Sequence, residues 1–163
     1  MTQPEAAPLT LAKQMQLLRR FLDAHQAIRR YAPRITGAGC QVLIFIALET
    51  LDQKILRIPR LRDVTRELDL SPSGASRLLE TLTVGGRKGS AEGGYGLIET
   101  DDFVEGRRTD GYVLTEKGRK CVEQVLSALA GKPCGGFEPH DLGSLFKLMM
   151  AEWERRPDNK GQA

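Results

Sequence analysis

The feature that most constrains the fold is a pair of short amphipathic segments at residues 59–82, PRLRDVTRELDL followed by SPSGASRLLETL. Pro59 suits the first turn of one helix, and Ser71 with Pro72 suits the N-cap and first position of the next. The apolar residues that recur at helical spacing are Leu61, Val64 and Leu68, then Ala75, Leu78, Leu79 and Leu82. Two short helices joined by a tight turn are typical of a helix-turn-helix unit.

Two strand-like runs follow this pair of helices. Residues 97–103 (LIETDDF) and 112–115 (YVLT) are joined by a charged connection with two glycines, so the sequence predicts a hairpin. Thr115 is placed to cap another helix, and residues 54–59 (KILRIP) form a shorter strand-like run before the pair. A helix-turn-helix followed by a β-hairpin is a winged helix.

Long apolar helices are predicted at both ends of the chain. Residues 9–31 carry an amphipathic stripe, residues 36–51 are apolar nearly all round and therefore predict a buried helix, and a last helix covers residues 139–155. The stripes of the first and last helices contain Leu11, Met15, Leu18 and Leu22, and Leu142, Leu145, Phe146, Met149 and Trp153. The predicted fold is mainly α (α+β), with one small sheet.

Length and charge predict one soluble domain with a polyanionic partner. The 163 residues match the usual size of a domain, no apolar run is long enough for a membrane span, and nothing resembles a secretory signal. The net charge is only +3, but residues 1–88 carry +6 and residues 89–163 carry −3, which favours a partner such as DNA. Three widely spaced cysteines fit neither a disulfide framework nor a zinc site, so a reducing cytoplasm is the expected location.

These segments resemble the MarR family of bacterial transcription regulators. The resemblance rests on LRDVTRELDLSPSGASRLLETL (61–82), GLIE (96–99) and RRTDGYVLTEKGR (107–119), and it extends over residues 10–155. The residues that match the family's wing arginine, Leu-Thr pair and Gly-Arg pair are Arg108, Leu114, Thr115, Gly118 and Arg119. The resemblance implies a winged helix-turn-helix with N- and C-terminal dimerisation helices.

Two departures from the family pattern affect the expected site. Gly106 stands where the family usually has an acidic residue two positions before the wing arginine. The passage from the second helix to GLIE is longer than usual, so the glycine-rich stretch at 84–96 is an insertion. It matches neither a Walker loop nor a dinucleotide-binding loop, because Gly89 follows Lys88 and no helix opens after it. We expect a mobile loop whose Arg87 and Lys88 reach the DNA backbone.

A DNA-binding role would place the second helix of the pair in the major groove. Arg77 is the best candidate for a bidentate contact with guanine, and a phosphate contact or simple solvation is the alternative. Arg107 and Arg108 at the hairpin tip are candidates for the minor groove, with an exposed tip as the alternative. Candidates for further phosphate contacts are Arg57, Arg60, Arg62 and Arg66, with simple solvation as the alternative for some of them. The full candidate set is Ser71, Ser73, Ser76, Arg77, Arg87, Lys88, Arg107 and Arg108.

The resemblance also implies a homodimer that reads two half-sites. Residues 9–52 and 137–156 would form the dimerisation region, residues 53–130 the DNA-binding lobe, and residues 157–163 a disordered tail. The candidate interface residues are Leu11, Met15, Leu18, Leu142, Phe146, Met149 and Trp153. The alternative is that these helices fold back on the core of their own domain.

The function that the resemblance implies is transcription regulation, most often repression, at a pseudo-palindromic operator, with release of DNA by a small-molecule effector. The alternative is a winged-helix protein-interaction module with weak or lost DNA binding. His25 and His140 have no arrangement for nucleophilic catalysis, so neither an enzyme nor a cofactor is expected. Cys134 with His140 gives too few ligands for a metal. Cys40, near a helix start, is either a redox sensor or a small buried hydrophobe.

Overall fold

The computed structural model describes residues 9–51, 58–85, 93–101 and 111–135. Within these ranges, the helices are α1 (Leu11–Tyr31), α2 (Gly37–Leu51), α3 (Leu61–Glu67), α4 (Pro72–Leu82) and α5 (Glu116–Ala130), and the strands are β1 (Ile98–Asp101) and β2 (Gly111–Leu114). The two strands form one antiparallel sheet. The predicted mainly helical fold with a small sheet is therefore confirmed. None of the helices in these ranges has the length and apolar character that a membrane crossing requires.

α2 lies at the centre of the apolar core. It packs against α4 and β2, and its Val42, Leu43 and Ile46 are completely inaccessible to solvent. The apolar sequence predicted a buried helix, but the helix is not buried on every side. Leu48 is 59% exposed. α2 therefore supports α4 from within while one of its faces stays at the surface.

α1 has two halves with different surroundings. The C-terminal half buries Ala24, Ala27 and Ile28, whereas no residue of the N-terminal half is buried. α1 packs along α5, and Gln124 of α5 donates a hydrogen bond of 2.9 Å to the hydroxyl of Tyr31. The contact between α1 and α5 therefore involves mainly the C-terminal half of α1.

α4 begins as the sequence predicts. The Ser71 hydroxyl accepts a hydrogen bond of 3.1 Å from the Gly74 N–H, and Pro72 is the first helical residue. Serine at the N-cap satisfies one of the N–H groups that a helix start leaves unpaired, and proline has no N–H to satisfy. The start of α4 is therefore fixed by local chemistry.

α3 begins later than the sequence predicts. Its N-cap is Arg60, whose N–H donates to the buried carboxylate of Asp63 at 2.9 Å. Pro59 lies before the helix, and its carbonyl accepts a hydrogen bond of 2.9 Å from the N–H of Tyr112. The prediction that Pro59 opens the helix is wrong, because this residue instead joins the chain to β2. Most of the predicted strand-like run, residues 54–57, lies outside the described residues.

The sheet is tied to the start of α5. Its register pairs Ile98 with Leu114 and Asp101 with Gly111. Thr115 caps α5 as predicted, because its hydroxyl accepts a hydrogen bond of 3.0 Å from the Gly118 N–H. A side chain at Gly118 would overlap the carbonyl of the residue that precedes β1, so this position needs glycine for a close approach of two backbones.

Candidate nucleic-acid interface

α4 presents one polar surface on the side opposite the core. Its buried residues are Ala75, Leu79 and Leu82. The outer face of α4, as we define it, consists of Ser73, Ser76, Arg77, Glu80 and Thr81. Ser73, Arg77 and Thr81 are exposed, while Ser76 and Glu80 are half-buried. The structure therefore brings together the four candidate residues on this helix and its cap, namely Ser71, Ser73, Ser76 and Arg77.

Hydrogen bonds within the helix hold two hydroxyl groups of this face. Thr81 donates its hydroxyl proton to the carbonyl of Arg77 at 2.8 Å. Ser76 donates to the carboxylate oxygen Oε1 of Glu80, 3.3 Å away. Sequence reasoning did not include Glu80 in the site, although a Ser and a Glu four positions apart on a helix are neighbours.

Arg77 is the positively charged group of the outer face. The ion pairs among the described residues do not involve its guanidinium, and the side chain is exposed. Five N–H donors in a planar fork suit an acceptor pair such as guanine O6 and N7, or a phosphate. Arg77 is therefore available to an acceptor ligand.

The arginines of α3 contribute less positive charge than their number suggests. Arg66 lies 2.8 Å from the carboxylate of Glu67 and 3.8 Å from that of Asp63, and the hydrogen bond that Arg66 donates to Glu67 raises the pKa of Arg66. Over residues 58–85, four arginines are matched by the four acidic residues Asp63, Glu67, Asp69 and Glu80. The excess positive charge that the sequence places in residues 55–88 comes from Arg57, Arg87 and Lys88, which lie outside the described residues.

Backbone hydrogen bonds fasten the returning end of the glycine-rich insertion to the end of α4. The Tyr95 N–H donates to the carbonyl of Thr81 at 2.9 Å, and the Leu97 N–H donates to the carbonyl of Leu82 at 2.8 Å. The Thr115 hydroxyl holds the same segment by donating to the Gly96 carbonyl at 2.7 Å. The chain therefore leaves α4 and returns to it at one place, beside the outer face, which the sequence did not reveal.

Half of the predicted DNA-binding set lies outside the described residues. Arg87 and Lys88 fall between the two ends of the insertion, and Arg107 and Arg108 fall between β1 and β2. For the dimer, Leu142, Phe146, Met149 and Trp153 also lie outside the described residues. Their predicted roles stay predictions.

The N-terminal half of α1 exposes an apolar surface. Leu11, Met15 and Leu18 are 72%, 64% and 71% exposed, and Leu22 continues the same stripe. Ala24, which is buried, follows Leu22 by two positions, and residues two apart in a helix point to nearly opposite sides. The stripe therefore faces away from the side of α1 that packs into the chain's own core.

Two of the three cysteines lie in the core. Cys40 and Cys121 are buried and Cys134 is half-buried. Burial raises the pKa of Cys40, and it outweighs the lowering effect of the hydrogen bond from the backbone. Burial also raises the pKa of Cys121, to about 12, with Cys40 nearby as a smaller cause. The helix start therefore does not activate Cys40, and the described residues contain no cluster of three or more metal-binding side chains.

No protein family model matches the chain, and no curated protein matches its sequence. Among solved structures, it is similar to the crystal structure of RV1404 from Mycobacterium tuberculosis, with 18% sequence identity over 98% of this chain and 100% of that chain. The TM-score is 0.49. A likeness at this level bears on neither the fold nor the function.

Proposed function

We propose that this protein is a dimeric winged-helix regulator of transcription, similar to the MarR family, that binds a pseudo-palindromic DNA operator and most often represses. α4 is then the recognition helix, and β1 and β2 form the wing. A small-molecule effector that favours another spacing of the two lobes would release the DNA.

The observation that carries this proposal is the outer face of α4. A helix enters the major groove with its N-terminal residues directed at the base edges. Here the N-cap Ser71 and the α4 residues Ser73 and Arg77 are exposed, and the opposite side of the helix is buried in the core. A helix that is buried on one side and carries an exposed arginine on the other is suited to read DNA.

Because the charges of residues 58–85 balance, the proposal assigns most of the phosphate binding to other segments. In this proposal, Arg87 and Lys88 contact phosphate from beside the end of α4, where the two ends of the insertion meet. Arg107 and Arg108 enter the minor groove from the connection between the wing strands. Affinity therefore depends on the loops and base preference depends on α4.

The test is selection of bound duplexes from a random-sequence DNA library at two salt concentrations, with binding curves for the selected site. We expect a palindromic site, and we expect log affinity to fall against log salt with a slope near −0.9 for each phosphate contacted. Replacing Arg77→Ala should weaken binding roughly 5- to 150-fold, which corresponds to about 1–3 kcal/mol for a bidentate base contact. Lys132→Ala, which removes an exposed charge beyond α5, is the matched control and should change little.

A protein-interaction module is the second candidate, and one observation favours it. The outer face of α4 carries a single arginine together with the carboxylate of Glu80, which is a weak electrostatic footprint for DNA. If no sequence is enriched and the affinity is insensitive to salt, the regulator proposal fails. The same surface would then be tested against protein partners.

A further inference from the structure

Two of the hydroxyl groups on the outer face of α4, those of Ser76 and Thr81, use their protons in hydrogen bonds within the helix. A hydroxyl has one proton to donate and two lone pairs that accept. Thr81 uses its proton on the carbonyl of Arg77 at 2.8 Å, and Ser76 uses its proton on the carboxylate of Glu80 at 3.3 Å. Toward a ligand, both oxygens therefore offer lone pairs only.

Glu80 strengthens this asymmetry. A carboxylate accepts hydrogen bonds and has no proton to donate, so it fixes the direction of the bond with Ser76. Both residues are half-buried, which limits the competition from water for this bond. Ser76, Glu80 and Thr81 thus form an acceptor-only patch within one turn of Arg77, which donates only.

Such a patch can distinguish the edges of the base pairs. In the major groove, guanine O6 and N7 and thymine O4 accept hydrogen bonds, whereas cytosine N4 and adenine N6 carry the exocyclic amines that donate them. An acceptor placed against another acceptor gains no bond and leaves both groups desolvated. An acceptor-only patch therefore favours a base whose exocyclic amine lies in the major groove, which is cytosine or adenine.

We propose that Ser76 accepts a hydrogen bond from an exocyclic amine, cytosine N4 or adenine N6, at one position of each half-site, and that Glu80 is the positioning residue that holds the Ser76 hydroxyl as an acceptor. This inference rests on the DNA-binding function proposed above. Arg77, one position along the helix from Ser76, takes a guanine or a phosphate nearby. The outer face then reads donors and acceptors at neighbouring positions.

Three variants test the role of Glu80 in parallel selections from the random DNA library. The wild type should select cytosine or adenine at one position per half-site by roughly 10-fold over the bases without the amine. Glu80→Gln should reduce this preference to below about 3-fold, because a side-chain amide can donate to Ser76 and free its proton. Ser76→Ala should abolish the preference. Glu123→Gln removes a carboxylate from α5 and should leave the base preference unchanged.

Base analogues test whether the amine of the selected base is the group that is recognised. If the selected base is cytosine, the test uses 2-pyrimidinone in its place, and if it is adenine, the test uses purine, since each analogue lacks only the amine. The wild type should bind the analogue duplex roughly 10-fold more weakly than the natural duplex. Ser76→Ala should bind the two duplexes with equal affinity. Loss of the negative charge in Glu80→Gln can raise affinity for every duplex, so the ratio between the two duplexes is the quantity compared.

Two outcomes would overturn the inference in different ways. A wild type that selects a clear palindrome, but with the same base profile as Glu80→Gln and Ser76→Ala, would refute the acceptor role and leave the regulator proposal standing. A wild type that selects no sequence and binds without salt dependence would refute the regulator proposal and this inference together. Thermal unfolding of each variant, followed by circular dichroism, ensures that only folded protein enters the comparison.

Discussion

At the scale of single residues, the thiol of Cys121 makes the free energy of unfolding depend on pH. Its side chain is completely inaccessible to solvent, and burial raises its pKa to about 12. In the unfolded chain, the thiol ionises in the ordinary range near 8.5. The folded state therefore holds this proton more tightly than the unfolded chain does. The resulting stabilisation is complete below the pKa of the thiol in the unfolded chain, and it is lost as pH rises toward the pKa in the folded state.

This linkage predicts an alkaline loss of stability that depends on Cys121. Between about pH 9 and pH 11, the free energy of unfolding of the wild type should fall relative to that of Cys121→Ala by roughly 1 kcal/mol per pH unit. Urea denaturation at a series of pH values measures the difference. Cys134→Ala, which changes a half-buried thiol, should keep the wild-type slope. If Cys121→Ala also keeps that slope, the assignment to Cys121 is wrong.

At the scale of elements, Thr115 has more to hold than a typical N-cap. Its hydroxyl accepts from the N–H of Gly118 and donates to the carbonyl of Gly96 at 2.7 Å. It therefore starts α5 and also fastens the segment that returns from the insertion. Thr10 caps α1 with a bond of 3.4 Å at an exposed position, and it has only the first of these roles.

Replacing Thr115→Ala should lower the free energy of unfolding by about 1–2 kcal/mol, because a cap and a second partly buried hydrogen bond are lost together. Thr10→Ala is the matched control and should cost well under 1 kcal/mol, since the end of α1 frays without exposing the core. Chemical denaturation of both variants gives the comparison. Equal losses would show that the bond to Gly96 adds nothing to the cap.

The elements also show what the sequence could predict. The starts of α4 and α5 were predicted correctly, because Ser71, Pro72 and Thr115 act on the N–H groups of their own helices. The start of α3 was wrong, because the carbonyl of Pro59 is engaged by β2, and such a contact between distant segments leaves no local pattern.

The candidate site divides in the same way. The helical spacing of the apolar residues in this segment leaves Ser73, Ser76 and Arg77 on the opposite, outward side of the helix. It did not predict the hydrogen bond between Ser76 and Glu80, which depends on side-chain conformation. Nor did it predict that the insertion returns to the end of α4. That return depends on backbone hydrogen bonds between residues that are distant in the sequence, and these leave no local pattern.

At the scale of the whole molecule, the apolar stripe on α1 requires an explanation. Leu11, Met15 and Leu18 expose large apolar side chains on one face, and that face is turned away from the side that Ala24 buries. Contiguous exposed apolar surface of this kind is typical of an interface. In the proposed regulator, a two-fold dimer through this face would bring two copies of α4 to one DNA duplex, on which successive half-sites lie about 34 Å apart.

Leu18→Glu should therefore separate association from folding. A carboxylate at the centre of an apolar interface is costly to bury, whereas at a position that is 71% exposed in the single chain it should perturb the fold little. We expect sedimentation equilibrium to show a dimer for the wild type and a monomer for Leu18→Glu, with the helical circular dichroism retained. Gln16→Glu adds the same charge to another face of the same helix turn and should remain dimeric.

The monomer should also bind the selected palindrome at least about 10-fold more weakly than the dimer, because the second half-site no longer benefits from a tethered partner. If Leu18→Glu stays dimeric and keeps its DNA affinity, the α1 stripe is not the interface, and the two half-sites must be joined through another part of the chain.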